Sequence, residues 1–515
     1  MEKIKVRGKI EKKYIKIFYM WKIRRRDGKA FCQSEEELKK AVIEAKKKGL
    51  SDVEIGKLFG ITFKQLERII TQTYGLNIST LGFTKRINSW KPKNFKEETT
   101  TVWSFKQRGS WATHDGRYRG NWSPFIPRNI ILKYTQPGET VLDYFVGSGT
   151  TAIEAKLLGR KAIAIDINPK CVELTLKNLN FNPPQSLFNF PIYEAKVSLG
   201  DARSLREIPD ESIDLICAHP PYAGIIKYSS GIEGDLSQLS LLDYLKEMEK
   251  VAHESYRVLK PGKKCAILIG DTRKNKYIVP IGFQVINVFL KAGFRLKELV
   301  IKRQHNCKTT GFWYKKSLKH NFLLLAHEYL PIFEKPEKKL ENGNKEDLKK
   351  TEPYLSQEST YLEVDHLSFS KNTNTLNKLE TTTVWILPSN NFEEVLKLNL
   401  LYRYNKVSLI KSPFLEKISS FQEVLSWLEK KKNLVEEILA NLKKGDFIVI
   451  QTQDLRINGY IQPLAKLVLD SLKLDKLRLK EIVITTFENS NLNFNDDKEP
   501  LKIVHKYLLV YEVIK

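Results

Sequence analysis

Residues 141–168 read VLDYFVGSGTTAIEAKLLGRKAIAIDIN, and the fold follows from this stretch. An apolar run ends in Asp143, a turn holds Gly147 and Gly149, and Thr150 to Leu158 has helical character. A second apolar run, Ala162 to Ile165, closes on Asp166. Strand, glycine turn, amphipathic helix and strand make one βαβ unit. Such a unit holds its ligand at the carboxyl end of the first strand, where glycines let backbone and ligand approach closely. An acid at the end of the second strand, as Asp166 is, suits a pair of ribose hydroxyls. With only two glycines, the turn fits the dinucleotide pattern GxGxxG poorly.

A second segment sharpens the reading. His219-Pro220-Pro221-Tyr222 stands directly after the apolar run Ile213 to Ala218. Together with Asp143-x-Phe145-x-Gly147-x-Gly149-Thr150-Thr151 it resembles the paired signatures of amino-methylating DNA methyltransferases, the N4-cytosine and N6-adenine enzymes. The resemblance covers residues 99–335. It implies a Rossmann-like α/β domain and S-adenosyl-L-methionine (AdoMet) as cofactor, held by Asp143, Phe145, Gly147, Gly149, Thr150, Thr151 and Asp166. It also implies that Asp201, in Ser198–Ala202, meets the adenine amino group. The segment from Trp122 to Pro127, with Trp122, Ser123 and Pro124, is then expected over the methionine end, a proline-rich elbow being the competing reading.

The chemistry implied is direct methyl transfer to an exocyclic amine. That nitrogen is a poor nucleophile, because its lone pair is delocalised into the ring. Hydrogen-bond acceptors facing the NH2 push it toward sp3 geometry and aim the lone pair. The first tetrad residue supplies a side-chain acceptor, a proline carbonyl a second, and Tyr222 a flat face for an extruded base. The catalytic set is therefore His219, Pro220, Pro221 and Tyr222. The family usually carries Asn, Asp or Ser where this chain has His219. A neutral imidazole can accept, so activity is expected to fall below about pH 6.5. N4 of cytosine is the favoured target and N6 of adenine the alternative. Methylation of RNA of the tRNA guanine-N2 type and a catalytically dead DNA-binding regulator are further readings. No Pro-Cys dipeptide is present, which disfavours C5-cytosine chemistry.

The flanks bear on the partner. Among 515 residues the basic side chains exceed the acidic ones by 26. That surplus points to a polyanion, double-stranded DNA here, although a Lys-rich composition from an AT-rich or thermophilic source also yields it. Residues 1–34 form a basic arm in which Arg24, Arg25 and Arg26 are candidate phosphate contacts. Residues 35–98 read as a helical, helix-turn-helix-like domain whose second helix, Phe63 to Thr73, offers Thr62, Lys64, Gln65 and Arg68 to a groove. The polar loop 225–240, with Lys227 and Tyr228, suits a lid over a substrate base. No apolar stretch long enough for a membrane span exists, and the start lacks an apolar signal core. The five cysteines form no CxxC pair, so no metal site and a reducing, cytoplasmic (nucleoid-associated) location are expected. A separately encoded restriction endonuclease is an expected partner.

Beyond a linker at 336–378, residues 379–515 repeat what precedes them. Thr-Thr-Thr-Val-Trp occurs at 99–103 and 381–385, and Arg-Leu-Lys-Glu at 295–298 and 478–481. Asp271, Arg273, Tyr277 and Pro280 match Asp454, Arg456, Tyr460 and Pro463, and His327-x-Tyr329 matches His505-x-Tyr507. Lys411-Ser412-Pro413-Phe414 stands where the tetrad would be. Trp103 and Pro221 lie 118 positions apart, but Trp385 and Pro413 only 28, so the AdoMet loop is missing from this second copy. It is expected to be a degenerate, non-catalytic repeat, making either a monomer with an internal pseudo-dimer or a homodimer. Further elements expected in the catalytic domain (99–335) are helices 129–135, 241–259 and 278–291 and strands 264–269, 295–301 and 322–328.

Overall fold

The computed structural model describes residues 87–515 except 117, 119, 185–188, 224–231, 306–309, 338–360, 369–379, 405 and 488–499. Before residue 87 it describes 24–26, 29–31, 34–47, 50, 52–62, 65, 66 and 69. The N-terminal part opens with a hairpin, β1 (Arg24–Arg26) and β2 (Lys29–Phe31), so the three arginines lie in a paired strand. Helices Glu35–Lys47 and Asp52–Phe59 pack together around Val42, Ile55 and Leu58. The first has three glutamates in its first turn, matching the sign of the helix dipole.

An eight-stranded sheet follows. Its strands are β3 (Val102–Ser104), β4 (Thr140–Asp143), β5 (Lys161–Asp166), β6 (Lys196–Leu199), β7 (Ile213–Ala218) and β8 (Leu259–Ile267), then β11 (Arg295–Arg303) and β12 (His327–Glu334). Between them lies a separate hairpin, β9 (Thr272–Lys274) and β10 (Tyr277–Val279). The order is β3-β11-β12-β8-β7-β4-β5-β6, and only β12 runs antiparallel to its neighbours. β7, IDLICA, is buried at every position, as a central parallel strand covered on both faces must be. β4 has β5 on one side and β7 on the other, so the connections leaving β4 and β7 diverge. The crevice at their carboxyl ends is where open α/β sheets bind ligands.

A six-stranded sheet comprises β13 (Glu363–Ser368), β14 (Val384–Leu387), β15 (Lys406–Lys411), β16 (Phe447–Thr452), β19 (Leu477–Phe487) and β20 (His505–Val513), with the hairpin β17 (Leu455–Ile457) and β18 (Tyr460–Gln462) set apart. Its order, read from the far edge, is β14-β19-β20-β16-β15-β13. The orientations reproduce β3-β11-β12-β8-β7 strand for strand. At the sixth place β13 runs antiparallel to β15, where the first sheet has the parallel β4.

The two sheets clasp each other reciprocally. β11 and β19 each carry a bulge, at Leu296/Glu298 and Leu479/Glu481, and a bulge leaves a residue outside the ladder. Arg456 reaches across to the Lys297 carbonyl (2.9 Å) and to Glu298 (2.6 Å). Arg273 makes the mirror contacts, to Lys480 (3.3 Å) and Glu481 (2.5 Å). Likewise His327 bonds Thr383 of the second sheet (2.8 Å), while His505 bonds Thr101 of the first (2.8 Å). Both glutamates are fully buried, so the partner arginine in the other half neutralises a carboxylate that has no water.

Several boundaries differ from expectation. The helix expected at 129 begins at Phe125, because Ser123-Pro124 makes the entry and proline suits a first helical turn. The strand expected at 264–269 is the longer β8, Leu259–Ile267. The helix expected from 278 begins at Ile281, since Tyr277–Val279 is taken by the hairpin. The strand expected at 322–328 lies later, at β12, and is preceded by a helix, Thr310–His320. Within the stretch expected to be a linker, residues 363–368 form β13.

Candidate active site

β4 delivers Asp143 into a solvent-open cleft of about 840 Å³ at the carboxyl ends of β4, β5 and β7. Its turn requires glycine twice. Gly147 has φ +54° and Gly149 φ +89°, and a Cβ on Gly147 would sit 3.1 Å from the Tyr118 ring. The Gly147 and Asn168 amides each donate to Asp166, both at 2.9 Å. This ties the glycine turn to the end of β5.

The carboxylates of the cleft are out of balance. Burial pushes Asp143 up to about 7 and Asp166 up to about 6, and no lysine or arginine among the described residues offsets either. Asp201 differs: Arg203 binds it through Nε and Nη2 (2.6 Å), which outweighs its burial and holds it below the usual range. Asp235, buried on the same cleft, accepts from the Ser237 amide (2.9 Å).

Most expected cofactor residues converge here, but in two tiers. Asp143, Phe145, Gly147, Asp166, Asp201 and Trp122 line the cleft. Gly149, Thr150 and Thr151 do not. Thr150 donates to Asn121 (2.5 Å) and Thr151 to the Cys217 carbonyl (3.4 Å), so both brace the turn. Ser123 and Pro124 also stay outside, Ser123 donating to the Arg108 carbonyl (2.7 Å) and Pro124 opening the helix. Gly120, Asn121 and Trp122 supply that wall instead. The segment is pinned through buried Glu154, which accepts from Trp111 (2.6 Å), pairs with Arg128 (2.9 Å) and meets His114 (2.6 Å). Tyr118 and Asp235 were missed in sequence reading, because both lie in irregular stretches without periodicity.

The tetrad meets the same cleft. His219 and Pro221 line it, and Trp122 stacks on the His219 ring at 5.5 Å and 23°. Pro220 and Tyr222 sit behind. Tyr222 packs on Gly270, where a Cβ would come within 3.0 Å of its ring. Its hydroxyl donates to Glu328 (2.8 Å) and lies 3.0 Å from His219 Nε2. Lys302 closes the chain with a 2.7 Å bond to Glu328. Lys302 outweighs burial and holds the Glu328 carboxyl down to about 2. Burial drives His219 down to about 4, so the loss of activity expected near pH 6.5 is corrected: the imidazole stays neutral well below that. Glu328 lies 106 positions from Tyr222, and no local pattern announces it.

The expected DNA-contacting residues lie elsewhere or outside the described residues. Thr62 and Gln65 bond each other, Gln65 Oε1 accepting from the Thr62 amide and hydroxyl (2.9 Å each), in the manner of a capping box. Lys64, Arg68, Lys227 and Tyr228 lie outside the described residues, and of the Arg24–Arg26 segment only the backbone pairing is described. Among the described residues, no cluster of His, Cys, Asp and Glu could hold a metal, and no helix is long and apolar enough to cross a membrane.

The cleft fits AdoMet on its own chemistry. Buried Asp143 and half-buried Asp166, with no cationic partner among the described residues, suit a ligand bearing an ammonium group, a sulfonium and a ribose diol. Comparison with known proteins agrees. A family model described as DNA methylase matches residues 9–177 and 213–407. The tRNA (guanine(10)-N2)-dimethyltransferase of Methanothermobacter thermautotrophicus is 34% identical over 127 residues, covering 24% of this chain and 34% of that protein. The type II methyltransferase M.BglI of Bacillus subtilis is 36% identical over 102 residues, covering 18% and 28%. The chain thus spans about a third of the length of these relatives. Among solved structures, a SAM-dependent methyltransferase from Methanosarcina mazei is 18% identical, covers 41% of this chain and 98% of that one, and has a TM-score of 0.29.

Proposed function

We propose, from the premise that the chain belongs to the DNA methylase family, that it transfers a methyl group from AdoMet to the exocyclic amine of a base in double-stranded DNA. The observation that carries this reading is a shared cleft: His219, Pro221 and Trp122 line the same cavity as Asp143, Gly147 and Asp166. Cofactor and acceptor amine can therefore meet without domain movement.

When bound, AdoMet supplies an electrophilic methyl on sulfur. Asp143 holds the ammonium end and Asp166 the ribose hydroxyls, while the Gly147 turn gives the backbone room to approach. His219 is neutral, but its Nε2 meets the Tyr222 hydroxyl and its ring also bonds the Gly120 backbone, so a lone pair reaches the target NH2 only when one of those bonds yields to the substrate. Glu328 fixes Tyr222, and Tyr222 together with Trp122 fixes the imidazole. The amine's proton leaves after transfer, so no general base with a shifted pKa is required.

N4 of cytosine is the favoured target, because neither Asn nor Asp stands at position 219, and N6 of adenine is the alternative. Service in a restriction–modification or host-defence system, in the cytoplasm and beside a separate endonuclease, completes the reading; relatives named type II methyltransferases support it. Similarity to a tRNA dimethyltransferase favours RNA as the second reading. Tritium transfer from labelled AdoMet to duplex DNA and to tRNA, followed by nucleoside analysis of the product, tests both. Label in N4-methylcytosine is the expected result; label in tRNA alone would overturn the DNA reading.

A further inference from the structure

The second sheet ends in a cavity of its own. It encloses about 580 Å³ at the carboxyl ends of β15 and β16, where the first sheet carries its tetrad after β7. No glycine turn serves it, since antiparallel β13 occupies the place of β4. Two side-chain donors of its lining residues lack partners among the described residues. Gln451 Nε2 and Thr452 Oγ1 are buried with no hydrogen bond, in side chains only 6% and 2% exposed. Leaving two such groups unpaired costs about 1–3 kcal/mol each, unless a ligand pairs them.

Ser412 adds a third donor. Its oxygen accepts from Trp427 Nε1 and from the buried Lys431 ammonium, both at 3.1 Å, so its proton is left for the cavity. Glu363, Glu393 and Glu416 also line the cavity and can only accept when ionised. Lys411, also on the wall, is held by Asp365 at 2.9 Å. Donors and acceptors on one wall together with Pro413 and Leu415 match a planar ring with a carbonyl oxygen and an amino group on one edge; Gln453 and Lys506 also line it. The glutamates argue against a free phosphate.

We propose that this cavity is a second, non-catalytic base-binding subsite, which takes cytosine or guanine by the edge bearing C=O and NH2, through Gln451, Thr452 and Ser412. It rests on the nucleic-acid reading above and extends it: the second half holds a base that the first half does not methylate.

The test uses the full chain and dCMP, dGMP, dTMP and inorganic phosphate as probes, titrated with saturation-transfer NMR. His219→Ala, at a residue lining the first cleft, discounts binding there. dCMP or dGMP should bind this variant, and adding Gln451→Leu with Thr452→Val should weaken binding at least 10-fold. The melting temperature of the ligand-free protein should hold or rise, because two unpaired buried groups are gone. Should that pair of changes impair folding, Ser412→Ala gives the same readout. Unchanged dCMP and dGMP binding, dTMP binding as well as either, or phosphate competing as well as the nucleotides would each overturn the proposal. Methyl transfer is assayed separately. A protein that binds dCMP through Gln451 yet never methylates would sink the catalytic reading and leave the subsite standing.

Discussion

Replacing Asp143 by Asn should change the pH dependence of AdoMet binding more than any other single substitution. Burial holds the Asp143 carboxyl at about 7 in the ligand-free protein, and Asp166 at about 6. If both must be ionised to receive a cationic ligand, protonation competes with binding. Between pH 8 and pH 5 the ionised fraction of a group with a pKa of about 7 falls about 100-fold, and that of one at about 6 falls about 10-fold. The dissociation constant for AdoMet should therefore rise by about three orders of magnitude over that range. Asp143→Asn should weaken binding at pH 8 and leave only the gentler Asp166 dependence. Stability should move the opposite way. A carboxyl whose folded pKa lies above its unfolded value near 3.8 costs stability once pH passes the unfolded value, and the full cost is reached above the folded one. Three units correspond to about 4 kcal/mol, so ligand-free Asp143→Asn should unfold at higher denaturant than the parent at pH 8 and match it near pH 4. Titration calorimetry and urea unfolding, each from pH 5 to 8, measure the two arms. AdoMet affinity as pH-dependent in Asp143→Asn as in the parent would refute the argument, since another group would then govern the titration.

Glu328→Gln removes the charge that holds Lys302 and Tyr222. Methyl-transfer kcat should fall about 10- to 100-fold with AdoMet affinity within twofold, measured by single-turnover kinetics and calorimetry. The transfer step itself should show no His219 titration above about pH 5, because burial holds that imidazole near 4; a midpoint near 6.5 in single turnovers at saturating AdoMet would contradict this. Glu481→Ala strands Arg273 across the junction between the sheets, and loss of one partner of a buried pair costs about 3–5 kcal/mol, readable by urea unfolding. Gly147→Ala forces an L side chain into positive φ with its Cβ 3.1 Å from Tyr118. Its AdoMet affinity should drop while global unfolding changes by about 1–2 kcal/mol.

Residues 141–168 and the tetrad were readable in the chain because they are local: the turn, both flanking strands and the acid at Asp166 lie within one βαβ unit, whose period and glycines survive in one dimension. The matched positions of the two sheets were legible for a similar reason: Arg273 and Arg456, like Glu298 and Glu481, lie 183 positions apart, and His327 and His505 lie 178 apart. What those matches do physically was not readable. Arg273 bonds Glu481 and Arg456 bonds Glu298, each across the dyad-like junction, so each repeat unit finishes the other's bulge. Strand boundaries near 260 and 330 were misplaced because pairing partners far along the chain, not local apolarity, decide where a ladder begins and ends.

By itself, then, the chain determined the glycine turn after β4, the tetrad that follows β7 and the set of positions matched between the two sheets, since all three are written in spacing. Only the tertiary structure decided that Glu328 and Lys302 stand behind Tyr222, that half-buried His219 is neutral, and that Thr150, Thr151 and Ser123 brace the cleft from outside. Burial and charge compensation depend on which distant strands become neighbours, and a linear pattern carries no record of the dielectric around a side chain.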